Sequence, residues 1–171
     1  MTVDIFTLLA RYTVHANDEM GKILQNLSPE EWTRDMGGYF PSIQSLTAHI
    51  YGADQAWLGR IRGFRSFKAL QNSLLDTSSA QGAPAVLTVQ EYLTQRKALD
   101  QIFLAFTVEL TEADVSADFT YTDRSGKQQK KNLGGLILHV FNHGTHHRGM
   151  IALYLDQMKR SNDFNGIMAV L

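Results

Sequence analysis

The sequence predicts an all-α fold: a four-helix bundle with a long crossover connection and a small extended hairpin before the fourth helix. Four segments repeat apolar residues every three or four positions, the period of an amphipathic helix. Residues 64–87, between the second and third segments, lack this period and end in small polar residues. Residues 118–131 alternate aromatic and polar side chains around an Asp-Arg-Ser-Gly turn, which is typical of a hairpin.

The first predicted helix runs from about Thr2 to Leu27, with Thr2 or Asp4 as its cap. Its apolar stripe contains Ile5, Leu9, Tyr12, Ala16, Glu19, Ile23 and Leu27. His15 lies to one side of this stripe and is interpreted as a surface or rim residue. The following Ser-Pro-Glu-Glu run predicts a short helical turn, with Ser28 as cap and Pro29 at the first position.

Two further helices are predicted on either side of the long connection. Ser42 caps the second, which continues to about Arg62 before Gly63. Its buried side is marked by Ile43, Leu46, Ile50, Trp57 and Ile61. Thr88 begins a Thr-Val-Gln-Glu capping box for the third helix, which is expected to end near Thr111. Its apolar side contains Tyr92, Leu99, Phe103, Phe106 and Leu110.

The fourth helix is the segment from Leu133 to Met158, with Asn132 as its cap. The hairpin before it has three lysines between 127 and 131, which are interpreted as a solvated strand face and not as a phosphate site. The apolar tail after Arg160 is expected to dock on the bundle or on a second subunit. No linker separates two domain-sized parts, so residues 1–171 are interpreted as a single domain.

The fourth helix carries four of the six histidines, and their spacing points to a metal site. One face of this helix contains Leu136, Val140, His143, His147, Ile151 and Tyr154. His143 and His147 therefore share the inward stripe, one turn apart, which is a common way for a helix to hold a transition metal. His139 and His146 flank the stripe, as outer groups that orient the ligands or as donors to backbone carbonyls.

A tight metal site needs at least one more ligand from another segment. His49 is compatible with an imidazole that points into a cavity, because Gly52, Ala53 and Ala56 leave room beside it. The same small residues also suit plain close packing of helices, so the helix pattern alone leaves both interpretations open. The competing view of His143 and His147 is that they are core histidines hydrogen-bonded to their neighbours. Arg148 is expected to point off the stripe, as a surface ion-pair partner or an anion contact.

Composition excludes several classes of function. The formal net charge of −1 argues against a nucleic-acid partner. The chain has no cysteine, which excludes thiolate metal sites, disulfides and a cysteine nucleophile. No apolar run approaches the length of a membrane helix and no secretory signal is evident, so a soluble cytoplasmic protein without membrane partners is expected.

The known catalytic motifs are missing. The sequence contains no HExxH, no Glu-x-x-His pair on a helix and no GxSxG, which argues against zincin proteases, carboxylate-bridged di-iron bundles and serine hydrolases. Asp100, Glu109, Asp114 and Asp118 form no paired arrangement that the sequence can prove, so no catalytic residue is assigned. A mononuclear site with three histidines and open positions fits best.

The chain resembles the DinB family of metal-binding four-helix bundles, the DinB/YfiT-like superfamily, over nearly its whole length. The resemblance rests on YTVHANDEM, LSPEEW, FPSIQSLTAHIYGADQAWLGRIRG and NLGGLILHVFNHGTHHRGMIALYL. It implies a divalent metal, most often nickel or zinc, held by His49, His143 and His147. It further implies a homodimer. Some members are thiol-dependent transferases or isomerases that use bacillithiol, mycothiol or glutathione.

The resemblance leads to two functional hypotheses. The first is a metal-dependent transferase or hydrolase that activates a low-molecular-weight thiol or water for a small-molecule substrate. The alternative is a non-enzymatic, DNA-damage-inducible or stress-response metal-binding or interaction module. One departure from the family pattern is Met150, which stands where the family usually has glutamine. A thioether replaces an amide there, and any contribution of that amide to a ligand would be lost.

Overall fold

A computed structural model describes residues 2–75, 87–164 and 166–171, and its described part is mostly helical. The helices are α1 (Asp4–Leu24), α2 (Pro29–Thr33), α3 (Ile43–Ile61), α4 (Val89–Val108), α5 (Glu112–Ser116) and α6 (Leu133–Gln157). The strands are β1 (Asp118–Thr122) and β2 (Gln128–Asn132), and short 3₁₀ turns cover Ser73–Leu75 and Ile167–Val170. The prediction of a mostly helical chain with one small hairpin is therefore confirmed.

The predicted caps of three helices are confirmed, and each leaves a clear hydrogen-bond signature. The hydroxyls of Ser28, Ser42 and Thr88 accept from the backbone three residues on, in reciprocal capping boxes. The prediction for α1 was wrong at its start, because Val3 is the N-cap residue and no side chain caps the helix. The Val3 N–H instead donates to Glu112 in α5, a short helix that the periodicity did not reveal.

The buried face of α1 is centred about one residue away from the predicted stripe. Tyr12 and Ala16 are buried as expected, but Ile5, Leu9 and Ile23 are only half-buried. The deepest positions are Phe6, Ala10, Met20 and Leu24. This shift occurs because α1 contacts both α4 and α6, so its inward face is wider than a single apolar row.

The four long helices contact one another in pairs: α1 with α4, α4 with α3, α3 with α6, and α6 with α1. A continuous apolar core fills the space between them. All predicted core positions of α4 are buried, and in α3 only Trp57 remains half-buried. This arrangement brings α3 and α6, the two helices with candidate ligands, side by side.

The long connection between α3 and α4 is described only in part, and the loop predicted at 76–84 lies outside the described residues. The first half of the connection contains the 3₁₀ turn Ser73–Leu75, and Arg65 attaches it to the rest of the protein. The Arg65 guanidinium donates to both carboxylate oxygens of Asp114, at 2.8 and 2.7 Å, and to the backbone carbonyl of Glu109. The connection is thereby fixed to the segment that leads into the hairpin.

The hairpin is antiparallel, with Asp118 opposite Asn132 and Thr122 opposite Gln128. Gly126 has a φ of +80°, a left-handed conformation that favours glycine in this turn. The three lysines of the hairpin are exposed, which agrees with a solvated strand face. The apolar tail lies against α1. Within the described residues, no helix combines the length and apolarity needed to cross a membrane.

Candidate metal centre

The start of α6 is held firmly, which fixes the direction in which its histidines point. The side chain of Asn132 accepts from the Gly135 N–H at 2.9 Å, as the predicted cap. Gly134 faces the α5 backbone so closely that a Cβ there would lie 2.6 Å from the Val115 carbonyl oxygen. Glycine is required at this contact, and α6 can therefore pack directly on α5.

The predicted inward face of α6 is confirmed. Leu136, Val140, Ile151 and Tyr154 are buried, and His147 is only 6% exposed. His143 is half-buried at the same face. Tyr154 donates to the backbone carbonyl of Phe40 at 2.8 Å, which connects this face of α6 to the segment before α3.

The structure brings His49 of α3 to the two histidines of α6. The Nε2 atoms of His49 and His143 are 3.0 Å apart, and those of His147 and His143 are 3.1 Å apart. One ligand atom from each of the three rings lies within 4.8 Å of the others. Phe40 stacks on His49 at 4.3 Å and meets the His147 ring edge-on at 5.4 Å between centroids. We refer to His49, His143 and His147 as the histidine triad.

Burial and mutual proximity keep the triad uncharged at neutral pH. Burial, together with the neighbouring His143 and His49, lowers the pKa of His147 to about 4. Burial also lowers the pKa of His49 and of His143, with added repulsion from His143 and His139 respectively. Neutral imidazoles present the lone pairs that a metal ion requires.

The polar atoms of the triad are not satisfied by the protein alone. The Nδ1 atoms of His143 and His147 are buried and have no hydrogen-bond partner among the described residues. His143 Nε2 lies close to two other ring nitrogens but has only one proton to donate. Three nitrogen donors within 4.8 Å of one another fit a borderline divalent metal, so the residues present suit the group that the resemblance implies.

The other histidines lie outside this group. His139 is exposed, and its ring meets Trp57 edge-on at 5.4 Å between centroids. His146 is exposed and contacts the outer side of His147. Within the described residues, neither ring forms a hydrogen bond with a triad ring, so an orienting role for His139 and His146 stays a prediction. His15 borders a separate cleft between α1 and α4.

The prediction for Arg148 was wrong. It is 1% exposed, and its guanidinium lies 5.1 Å from the centre of the Tyr12 ring. It donates to the Thr145 hydroxyl at 3.1 Å, while its Nε has no partner among the described residues. Helix geometry alone suggested a surface position, because the side chain leaves the stripe. The adjacent α1 covers that flank of α6, which the α6 sequence cannot reveal.

Sequence reasoning also missed a buried cluster of charges between α1, α3 and α4. Arg96 pairs with Asp54 at 2.6 Å and with Asp100 at 2.7 Å, and Asn17 donates to both oxygens of Asp100. The i, i+4 spacing of Arg96 and Asp100 on one helix was the available signal. We refer to Arg96, Asp54, Asp100 and Asn17 as the ion cluster.

Met150 is half-buried and packs against the apolar core, as a thioether does readily. The triad itself is not altered by this departure from the family pattern, because all three histidines are present and converge.

Comparisons with known proteins agree with these observations. A family model described as the DinB family matches residues 1–161. The protein named Protein DinB from Bacillus subtilis (strain 168) is 26% identical over 149 residues, which cover 87% of this chain and 83% of that protein. All three triad residues fall inside the matched range.

Proposed function

Because this chain belongs to the DinB family, we propose that its histidine triad binds one divalent metal ion through the Nε2 atoms. The observation that carries this proposal is the approach of three Nε2 atoms from two helices, at 3.0 and 3.1 Å. The four long helices would then form the four-helix bundle expected for the family, with the metal between α3 and α6.

A structural role explains the triad less well than a metal role. Core histidines in native proteins normally pair with backbone or side-chain groups. In this cluster the Nε2 atom of His143 lies 3.0 and 3.1 Å from two other ring nitrogens and has one proton to share between them, and the neighbouring rings lower the pKa of His147. Nickel or zinc is the metal we propose, because imidazole nitrogen suits both and the family favours them.

The reaction class that follows is activation of a thiol or a water molecule. A divalent metal ion bound by the triad would act as a Lewis acid and lower the pKa of the thiol or the water molecule. The chain's own contribution is to hold three neutral imidazoles, to shield one side with Phe40 and to leave the other side facing a cleft. Since the chain has no cysteine, a reacting thiol would have to come from a small molecule.

The second candidate is a metal-binding or interaction module without catalysis, acting as a homodimer. The observation that favours it is the composition of the triad: within the described residues, no carboxylate belongs to this group to act as a general base. The two candidates share the metal site and differ only in turnover.

The test is metal analysis of the purified protein and of three variants, His49→Ala, His143→Ala and His147→Ala. We expect the wild type to hold close to one equivalent of metal and each variant to lose it, because two imidazoles hold a divalent ion weakly. His15→Ala is the matched control and should keep the metal, since His15 borders a different cleft. Circular dichroism should show that all four variants remain helical.

A triad variant that retains full metal occupancy would remove that residue from the ligand set. Thiol-transfer assays with a generic electrophile then separate the two candidates. Turnover that disappears in the triad variants supports the enzyme, whereas stoichiometric metal without turnover by any thiol supports the binding module.

A further inference from the structure

A cleft of about 460 Å³ lies directly beside the histidine triad. His49 and His143 line it, and so does the tip of the β1–β2 hairpin, including Arg124 and Ser125. Cavities of this size commonly hold small molecules. A ligand that fills the cleft would therefore touch the triad and the hairpin at the same time.

One wall of the cleft is aromatic. Trp57 meets Tyr121 at 5.5 Å and His139 at 5.4 Å between ring centroids, in both cases edge-on. The α3 residues Ala53 and Ala56 line the cleft beside Trp57 and keep it open because their side chains are short. This wall suits the apolar or planar part of an organic molecule.

Two guanidinium groups face the same cleft. Arg60 lies over the Trp57 ring, 5.1 Å from its centre, and Arg124 is exposed on the hairpin tip. Within the described residues, neither forms an ion pair with a carboxylate. Both therefore remain available to an anion from solution.

The one carboxylate on the cleft is already engaged in the hairpin turn. Asp123 Oδ1 accepts from the backbone N–H groups of Ser125 and Lys127, and Oδ2 accepts from the Gln129 side chain at 2.9 Å. These bonds organise the turn and hold Arg124 at its tip. Two guanidiniums and one carboxylate leave a single net positive charge, which matches a monoanion better than a doubly charged phosphate.

The two arginines that line the cleft repel each other. Burial lowers the pKa of Arg60 and the charge of Arg124 acts in the same direction, while Tyr121 and Asp123 act against them. An anion bound between the arginines would relieve this repulsion.

We propose that this cleft binds a small organic carboxylate, with its carboxylate between Arg60 and Arg124 and its apolar part against Trp57. Such a ligand would reach the triad with its other end. This inference deepens the proposed function. It rests on that proposal for one statement, that the carboxylate is the substrate or co-substrate of the metal centre. Binding of the carboxylate itself does not require the metal, because the arginines belong to α3 and the hairpin.

The experiment compares phenylacetate with its uncharged analogue phenylacetamide by NMR titration of the ¹⁵N-labelled protein. The chain has two tryptophans, and the indole N–H of Trp57 reports on the cleft while Trp32, which is 3% exposed, is the internal control. We expect phenylacetate to shift the Trp57 signal to saturation, leave Trp32 unchanged, and bind about tenfold more tightly than phenylacetamide.

Arg60→Gln and Arg124→Gln should each weaken phenylacetate binding by about tenfold and leave phenylacetamide binding unaltered. Lys127→Gln is the matched control, because it removes an exposed cation from the same hairpin outside the cleft, and it should change binding by less than about twofold. The proposal is overturned if both probes bind equally, or if the arginine variants behave like Lys127→Gln.

The titrations are run on chelator-treated protein and on metal-loaded protein, which separates the two proposals. If the triad takes up no metal but the arginine effects persist in the chelator-treated sample, only the proposed function fails. If metal analysis succeeds and the arginine variants have no effect, the carboxylate site fails alone.

Discussion

The histidine triad and the ion cluster are both polar groups set among helices, but they are built on opposite principles. In the ion cluster, unlike charges meet: Arg96 pairs with Asp54 at 2.6 Å and with Asp100 at 2.7 Å. In the triad, like groups meet: one nitrogen of each ring lies within 4.8 Å of the others, and among the described residues no carboxylate belongs to the group. Helix α3 contributes to both, through Asp54 and His49.

The titration behaviour reflects this difference. Burial opposes the charge of Arg96, but Asp100 and Asp54 outweigh it and raise the pKa of the guanidinium above its usual value. In the triad, burial and like neighbours both lower the pKa of His147. The ion cluster therefore carries its counter-charges within the protein, whereas the triad consists of neutral rings whose neighbours oppose a positive charge. We interpret the first as a structural device and the second as a binding site.

The largest expected effect is on stability, from breaking the ion cluster. Arg96→Met should lower the free energy of unfolding by about 3–5 kcal/mol, because Asp54 and Asp100 would remain buried without their partner. Metal content should stay at the wild-type value in whatever folds. Chemical denaturation measures the stability, and Lys97→Met, an exposed neighbour on α4, is the control. A loss below about 1 kcal/mol would show that solvent reaches the cluster.

The triad should show the complementary behaviour, in which stability depends on an added ligand. Metal at about 100 times its dissociation constant should stabilise the chelator-treated wild type by about 2.7 kcal/mol. His143→Ala should gain nothing, since His143 is the ring that approaches both of the others. Thermal unfolding with and without nickel or zinc measures the difference. Equal stabilisation of wild type and variant would mean that the metal binds elsewhere.

A third polar contact is the ion pair between Arg65 and Asp114. Breaking it should reduce the free energy of unfolding by less than breaking the ion cluster. The Arg65 guanidinium donates to the Asp114 carboxylate and, with the hydrogen bonds from Thr111, lowers its pKa from 3.8 to about 2, so the folded state favours the ionised form. This contribution is present above pH 3.8 and is lost as the pH falls through about 2. Asp114→Asn should therefore cost about 2 kcal/mol at neutral pH and progressively less in acid.

Urea denaturation across this pH range measures the Asp114 effect. The matched control is Asp118→Asn, because Asp118 pairs with Lys130 at 3.1 Å while both side chains remain more than half exposed. That substitution should cost under about 1 kcal/mol at every pH. A pH-independent loss in Asp114→Asn would contradict this prediction, because it would show that the ionised form of the carboxylate is not what stabilises the fold.

Local chemistry made much of the fold predictable. The boundaries of α2 and α3 followed from Ser28 and Ser42, because a cap and its helix are neighbours in sequence. The hairpin followed from its turn residues for the same reason. The predictions failed where one side of a helix packs against another helix. Arg148 was predicted to lie on the surface, but α1 covers that side of α6.

By itself, the sequence determined the four long helices, the hairpin and the pairing of His143 with His147 on one inward face, because these depend on spacings of a few residues. Only the tertiary structure brought His49 to them, across 94 residues of chain, and joined Asp54 to Arg96 across 42. Contacts at such separations depend on which helix faces pack together. That choice is made by the whole apolar core at once, and no local pattern records it.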